Sequence, residues 1–115
     1  MLQDLQNIDH IENYEVKGMK QLYFILWTIG EKFPAHKSFV NLDLPRHESY
    51  LKQAYRDGRL LVAALFDNGS GVITLMEAET EYEIQKFVRN NPEVIDKRIQ
   101  ARIKPCRPVH WKNIE

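Results

Sequence analysis

Residues 59–77 read RLLVAALF-DNGS-GVITLME, two apolar runs about a four-residue turn, and this stretch decides the fold. Asn68-Gly69 at the centre of Asp67-Asn68-Gly69-Ser70 is the strongest short-range hairpin signal, because the favoured two-residue turn needs positive φ at positions that Asn and Gly tolerate. The runs Arg59 to Phe66 and Gly71 to Glu77 are therefore antiparallel neighbours. Simple alternation puts Leu60, Val62, Ala64 and Phe66 on one face of the first run and Leu61, Ala63 and Leu65 on the other.

Outward from the hairpin, each flank carries a helix. Upstream, Asp43-Leu44-Pro45 is a helix start: Asp43 or Leu44 takes the N-cap, and Pro45 falls in the first turn, where its missing N–H costs nothing. The helix runs to about Asp57, and Gly58 supplies the left-handed residue that ends it. His47, Tyr50, Leu51 and Ala54 share its inward face, while Glu48, Lys52, Gln53 and Arg56 take the rest. Downstream, Thr80-Glu81-Tyr82-Glu83 is a capping box, and Ile84, Phe87 and Val88 form the apolar stripe of the helix it opens. Asn90-Asn91-Pro92 ends that helix, because a residue before proline is pushed out of helical geometry. Pro92 to Asp96 fits one further turn.

A strand closes each end. Leu22 to Ile29 (LYFILWTI) is dense in aromatic and β-branched residues, is too short for a typical helix and stops at Gly30, which predicts a central strand buried on both faces. Lys97 to Pro105 alternates, with Ile99, Ala101 and Ile103 inside and Arg98, Gln100, Arg102 and Lys104 outside. Between Gly30 and Leu42 lies an aperiodic stretch, long for a connection in a compact domain and of a length that often covers a site. Residues 1–18 read as an N-terminal arm, helical or mobile, with the domain proper at 19–115. Pro108, Val109 and Trp111 form an apolar tail expected to dock on the same or a neighbouring molecule.

The order is thus β-α-β-β-α-β, an α+β class. With right-handed crossovers it predicts a ferredoxin-like, four-stranded antiparallel sheet with two helices on one face. Two helices cover one face only. Both alternating sets of the first two strands are apolar, so the other face needs a cover: a second copy, or else a loop or the N-terminal arm. The expectation is a homodimer through the open sheet face.

Composition sets outer limits. Across 115 residues, Lys+Arg and Asp+Glu are equal at 16 each, against a dedicated nucleic-acid binder. Cys106 is the single cysteine, so no intrachain disulfide and no cysteine zinc site can form. None of the four histidines lies at helical spacing from another, and nothing local suggests a metal site. No apolar run approaches the length of a membrane span and no signal-peptide pattern opens the chain, which makes a cytoplasmic location the default. No Gly-rich phosphate loop or cofactor motif occurs, so no external cofactor is expected.

The chemistry-bearing candidate is His47. In the first turn of a helix, the positive end of the macrodipole disfavours an imidazolium, and an inward neutral ring accepts a proton near neutral pH. A polar group on an inward face needs a partner, which is either a structural hydrogen bond or a pocket. Arg46 beside it is suited to hold a carboxylate, or is simply solvated. Tyr23, Trp27, His36 and Asp67 are the side chains within reach through the sheet or the long loop, although Tyr23 and Trp27 equally suit a plain core.

Several short motifs, in order, carry a family resemblance: His47-Glu48-Ser49-Tyr50-Leu51, Asp57-Gly58-Arg59-Leu60-Leu61-Val62-Ala63, the Gly71-to-Glu77 strand, Glu77-Ala78-Glu79-Thr80, Asn91-Pro92-Glu93-Val94 and Lys104-Pro105-Cys106-Arg107-Pro108-Val109. Together they resemble the YCII-related family of the dimeric α/β-barrel superfamily, over about Leu22 to Trp111. The resemblance implies a homodimer with two sheets packed face to face and an active site at the histidine of the first helix, here His47. Relatives with assigned activities dehydrochlorinate or isomerise ring-derived lactones. This chain departs from the pattern in two places: Ala63-Ala64-Leu65 stands where Ala-Gly-Pro is common, and Asn91-Pro92 where Asp-Pro is frequent.

Three readings of function follow. One is a small lyase- or isomerase-like enzyme moving a proton on a carboxylated or cyclic substrate, with His47 as base, Arg46 on an anion and the 30–42 loop closing the pocket. Another is a non-catalytic dimeric module that binds a small ligand or a protein. The third, more distant, is a haem-handling protein with His47 or His36 as axial ligand.

Overall fold

The structure, a computed structural model, describes residues 21–35, 37–39 and 44–110. Strand β1 (Gln21–Ile29) is followed by α1 (Pro45–Arg56), the hairpin of β2 (Leu60–Leu65) and β3 (Gly71–Ala78), then α2 (Glu81–Arg89), the single turn α3 (Pro92–Ile95) and β4 (Ile99–Cys106). The sheet has four strands in the order β2-β3-β1-β4, and every neighbouring pair is antiparallel. β1 and β2 thus run parallel with β3 between them, as do β3 and β4 with β1 between them. The arm at 1–18, Asp43, His36 and Trp111 lie outside the described residues.

Local chemistry accounts for the ends. Leu44 holds the N-cap of α1 with no side-chain cap, and Pro45 occupies the first turn. Gly58 stops the helix at φ +82°, a region open to glycine at no steric cost. Thr80 caps α2 by accepting from the Glu83 N–H at 3.2 Å, while the Glu83 carboxylate reaches the Glu79 N–H at 3.1 Å, one residue before the partner a capping box uses. Gly71 opens β3 opposite Thr28; a Cβ there would sit 2.6 Å from the Trp27 carbonyl oxygen, so the two strands could not close.

One face of the sheet carries the core. Tyr23, Ile25 and Trp27 of β1, Met76 of β3, Leu60 of β2 and Ile99 of β4 cluster with Leu44 and Ala54 on the α1 side and with Ile84, Phe87 and Val88 of α2. Both helices therefore pack on this face. Phe33 and Phe39 of the long connection stack at 5.7 Å between centroids and add to the same core.

The opposite face carries Phe24 and Leu26 of β1, Ile73 and Leu75 of β3 and Val62 and Ala64 of β2, placed together by the strand register. None of these joins the helix-side core. The β1 residues expected to be buried on both faces are thus only half-buried at Phe24 and Leu26. β4 presents Gln100, Arg102 and Lys104 along the same side.

Strict alternation fails in β2. Leu60 pairs with Met76 on the helix side, yet Val62 pairs with Leu75 on the open side, because Leu61 forms a bulge between them. An extra residue in one strand reverses the side on which later residues point. Leu60 therefore belongs with Ala63 and Leu65, not with Val62 and Ala64. Of the apolar tail, Val109 is 85% exposed and Trp111 lies outside the described residues. Among the described residues no helix is long and apolar enough to cross a membrane.

Candidate functional site

Pro45 opens α1, and helical spacing turns His47 and Ala54 fully inward with Tyr50 and Leu51 half-buried beside them. His47 is 4% exposed. Its ring meets Trp27 of β1 edge-on, with centroids 5.1 Å apart and planes at 68°. The Trp27 indole N–H donates to the Thr74 hydroxyl at 3.0 Å, which fixes the wall against which the imidazole lies.

The polar partner of His47 comes from the far end of the chain. Asn91, fully buried, places its amide nitrogen 2.7 Å from the His47 Nδ1. The other ring nitrogen, Nε2, is buried with no hydrogen-bond partner among the described residues. Two residues beyond Asn91, the Glu93 carboxylate is 1% exposed and lies between two arginines: Oε2 accepts from Arg46 Nε at 3.2 Å, and Oε1 is 3.4 Å from Arg98 Nη1. Oε1 makes no aligned hydrogen bond, so the contact with Arg98 is one of charge. Arg46 also donates to Asp96 at 2.6 Å.

Burial pushes the His47 pKa below its usual 6.5, and the Asn91 side chain and the Glu93 carboxylate oppose this only in part. The consequence for stability has a definite sign. The unfolded chain takes up a proton near pH 6.5 while the folded ring stays neutral, so stability falls as pH drops below about 6.5. Unfolding midpoints of wild type and His47→Gln should run parallel above pH 7. Below 6.5 the wild type should lose stability faster than the variant; equal slopes would count against a buried neutral ring.

Of the side chains expected near His47 that fall among the described residues, the structure brings in Trp27 alone. Arg46 is adjacent in sequence, but its guanidinium turns to Glu93 and Asp96, so it is engaged as a clamp on α3. Tyr23 lies four residues from Trp27 along β1, about 13 Å away at strand spacing. There burial first, and then Glu81 and Glu83, raise the pKa of its phenol. Asp67 is exposed in the hairpin turn. His36 lies outside the described residues. Sequence reasoning missed Asn91, Glu93, Arg98 and Thr74 as neighbours of the site. An Asn before Pro with Glu two positions on is the one local signal available, since it is the pattern of an Asn-capped turn.

A separate cleft of about 570 Å³ opens between α1 and α2, lined by Tyr50, Arg59, Glu83, Lys86, Phe87 and Asn90 among others. Its floor is aromatic: Tyr50 stacks on Phe87 at 4.8 Å and donates its hydroxyl to the Phe87 carbonyl at 2.8 Å, and Arg59 lies 5.3 Å over the Phe87 ring. His47 does not line it. Among the described residues no three His, Cys, Asp or Glu side chains gather where they could hold a metal ion. No family model matches the chain, and no curated protein shows similarity to it.

Proposed function

We propose that the chain is a binding module that acts as a homodimer: a YCII-related domain of ferredoxin-like topology whose open sheet face packs on that of a second copy to make a dimeric α/β barrel. The observation that carries this reading is the face bearing Phe24, Leu26, Ile73, Leu75, Val62 and Ala64, on which no described helix packs. Val62, at its margin, is 50% exposed. Each large apolar side chain fully removed from water contributes roughly 1.5–3 kcal/mol, so several on each copy favour association against the entropy it costs. The strand order and the paired crossovers support the topology.

Sedimentation equilibrium at micromolar concentration tests the reading. The wild type should run at twice the 13.6 kDa chain mass. Leu75→Glu places a charge in the middle of the face and should return the protein to monomer while leaving its circular dichroism unchanged. A wild-type monomer sinks the proposal.

A second reading has its own observation in favour. It makes the protein a small enzyme that moves a proton on a carboxylated or cyclic substrate at His47. Nε2 of His47 is a buried polar atom with no hydrogen-bond partner among the described residues, and buried polar atoms are nearly always matched. A ligand atom is one way to match it.

A further inference from the structure

Asn91 has both ends of its side chain committed. Its Oδ1 accepts from the Glu93 N–H at 3.0 Å, capping α3 in the place where Pro92 has no N–H to offer. With the carbonyl end assigned in this way, the end that faces His47 is the NH₂, 2.7 Å from Nδ1. An N–H can donate only to a lone pair, so Nδ1 carries no proton. A neutral imidazole holds one proton in all, and burial keeps this ring neutral at pH 7. That proton is therefore on Nε2, the buried nitrogen without a partner among the described residues.

We propose that Asn91 is a positioning residue that holds His47 in the tautomer protonated at Nε2, so that His47 takes its ligand by an acceptor oxygen, a carbonyl or a carboxylate. This rests on the reading of His47 as a ligand site, and it changes the chemistry expected there. The lone pair that a base needs is turned towards Asn91. What remains for the ligand is a neutral N–H, which can polarise a C=O but cannot abstract a proton. A ligand that presents an ammonium or amide N–H to this point meets a donor and is rejected.

Long-range proton–nitrogen correlation spectra of protein labelled with nitrogen-15 histidine read the tautomer directly. His47→Gln assigns the peaks by their loss. At pH 7.5 the wild type should show an unprotonated Nδ1 and a protonated Nε2. Asn91→Asp keeps an oxygen to cap Glu93 but replaces the donor with an acceptor, and should bring a proton to Nδ1. Acetate, as the probe, should shift the Nε2–H resonance in the wild type. A proton on Nδ1 in the wild type, averaged nitrogens, or an unchanged pattern in Asn91→Asp overturns the positioning role. An Nε2–H that acetate leaves in place, with the tautomer as stated, overturns the ligand class alone. A monomeric protein would give the same spectra, so the dimer and this site succeed or fail separately.

Discussion

Trp27→Ala should cost about 3–5 kcal/mol of folding stability, the range for deleting a fully buried aromatic side chain. Trp27 is 0% exposed near the end of β1, the strand paired on both sides. Its ring is the surface on which α1 and α2 both rest, through His47 at 5.1 Å and Phe87 at 6.4 Å between centroids. The change also strands the Thr74 hydroxyl, which accepts from the indole N–H and is itself 1% exposed. Trp27→Phe separates the two contributions, since it keeps most of the apolar volume and loses the donor, at about 1–3 kcal/mol for the unmatched partner. Against a domain stability of roughly 5–15 kcal/mol, the alanine variant should show a much lower urea midpoint and, at the low end of that range, be up to about half unfolded in buffer. A midpoint for alanine no lower than for phenylalanine would mean that the indole does not seat the two helices.

Asn91→Ala should be nearly as damaging, although it removes far less volume. Losing the side-chain oxygen that caps α3 costs about 0.5–2 kcal/mol. Losing the amide N–H leaves the His47 Nδ1 a buried, unmatched acceptor, at about 1–3 kcal/mol. The two losses share one side chain and do not simply add; a total of about 2–4 kcal/mol is expected in urea denaturation. Asn91→Ser, which can still cap, should recover part of it. Equal losses for alanine and serine would show that the cap contributes nothing.

These two residues also mark how far the sequence could be read. The hairpin, both principal helices and the edges of β1 and β4 were legible because each is written locally: Asn68-Gly69 for the turn, Pro45 and Gly58 for the bounds of α1, Thr80 with Glu83 for the start of α2. The inward phase of His47 was legible for the same reason, since helical spacing fixes it. The bulge at Leu61 was not, because it reflects how β2 pairs with Leu75 and Met76, and nothing in LLVAAL distinguishes its residues. The surroundings of His47 were hidden for a related reason. Asn91 read as the end of a helix, which it is, but its second bond reaches 44 residues back. Arg46 read as a free cation because its carboxylate partner, Glu93, lies 47 residues on. Local pattern reports which groups want partners; only the closed sheet decides who supplies them.

The bulge at Leu61 also bears on how these molecules behave in a crowd. β2 is an outer strand of uncharged residues with Val62 and Leu65 about half exposed, the kind of edge on which another chain's strand can lay itself down. The bulge bends that edge at its start, so an incoming strand can keep step with it only from Val62 to Leu65. A run that short makes a poor seed for strand-by-strand growth, so the irregularity that reverses the faces of β2 also guards its edge against fibre formation.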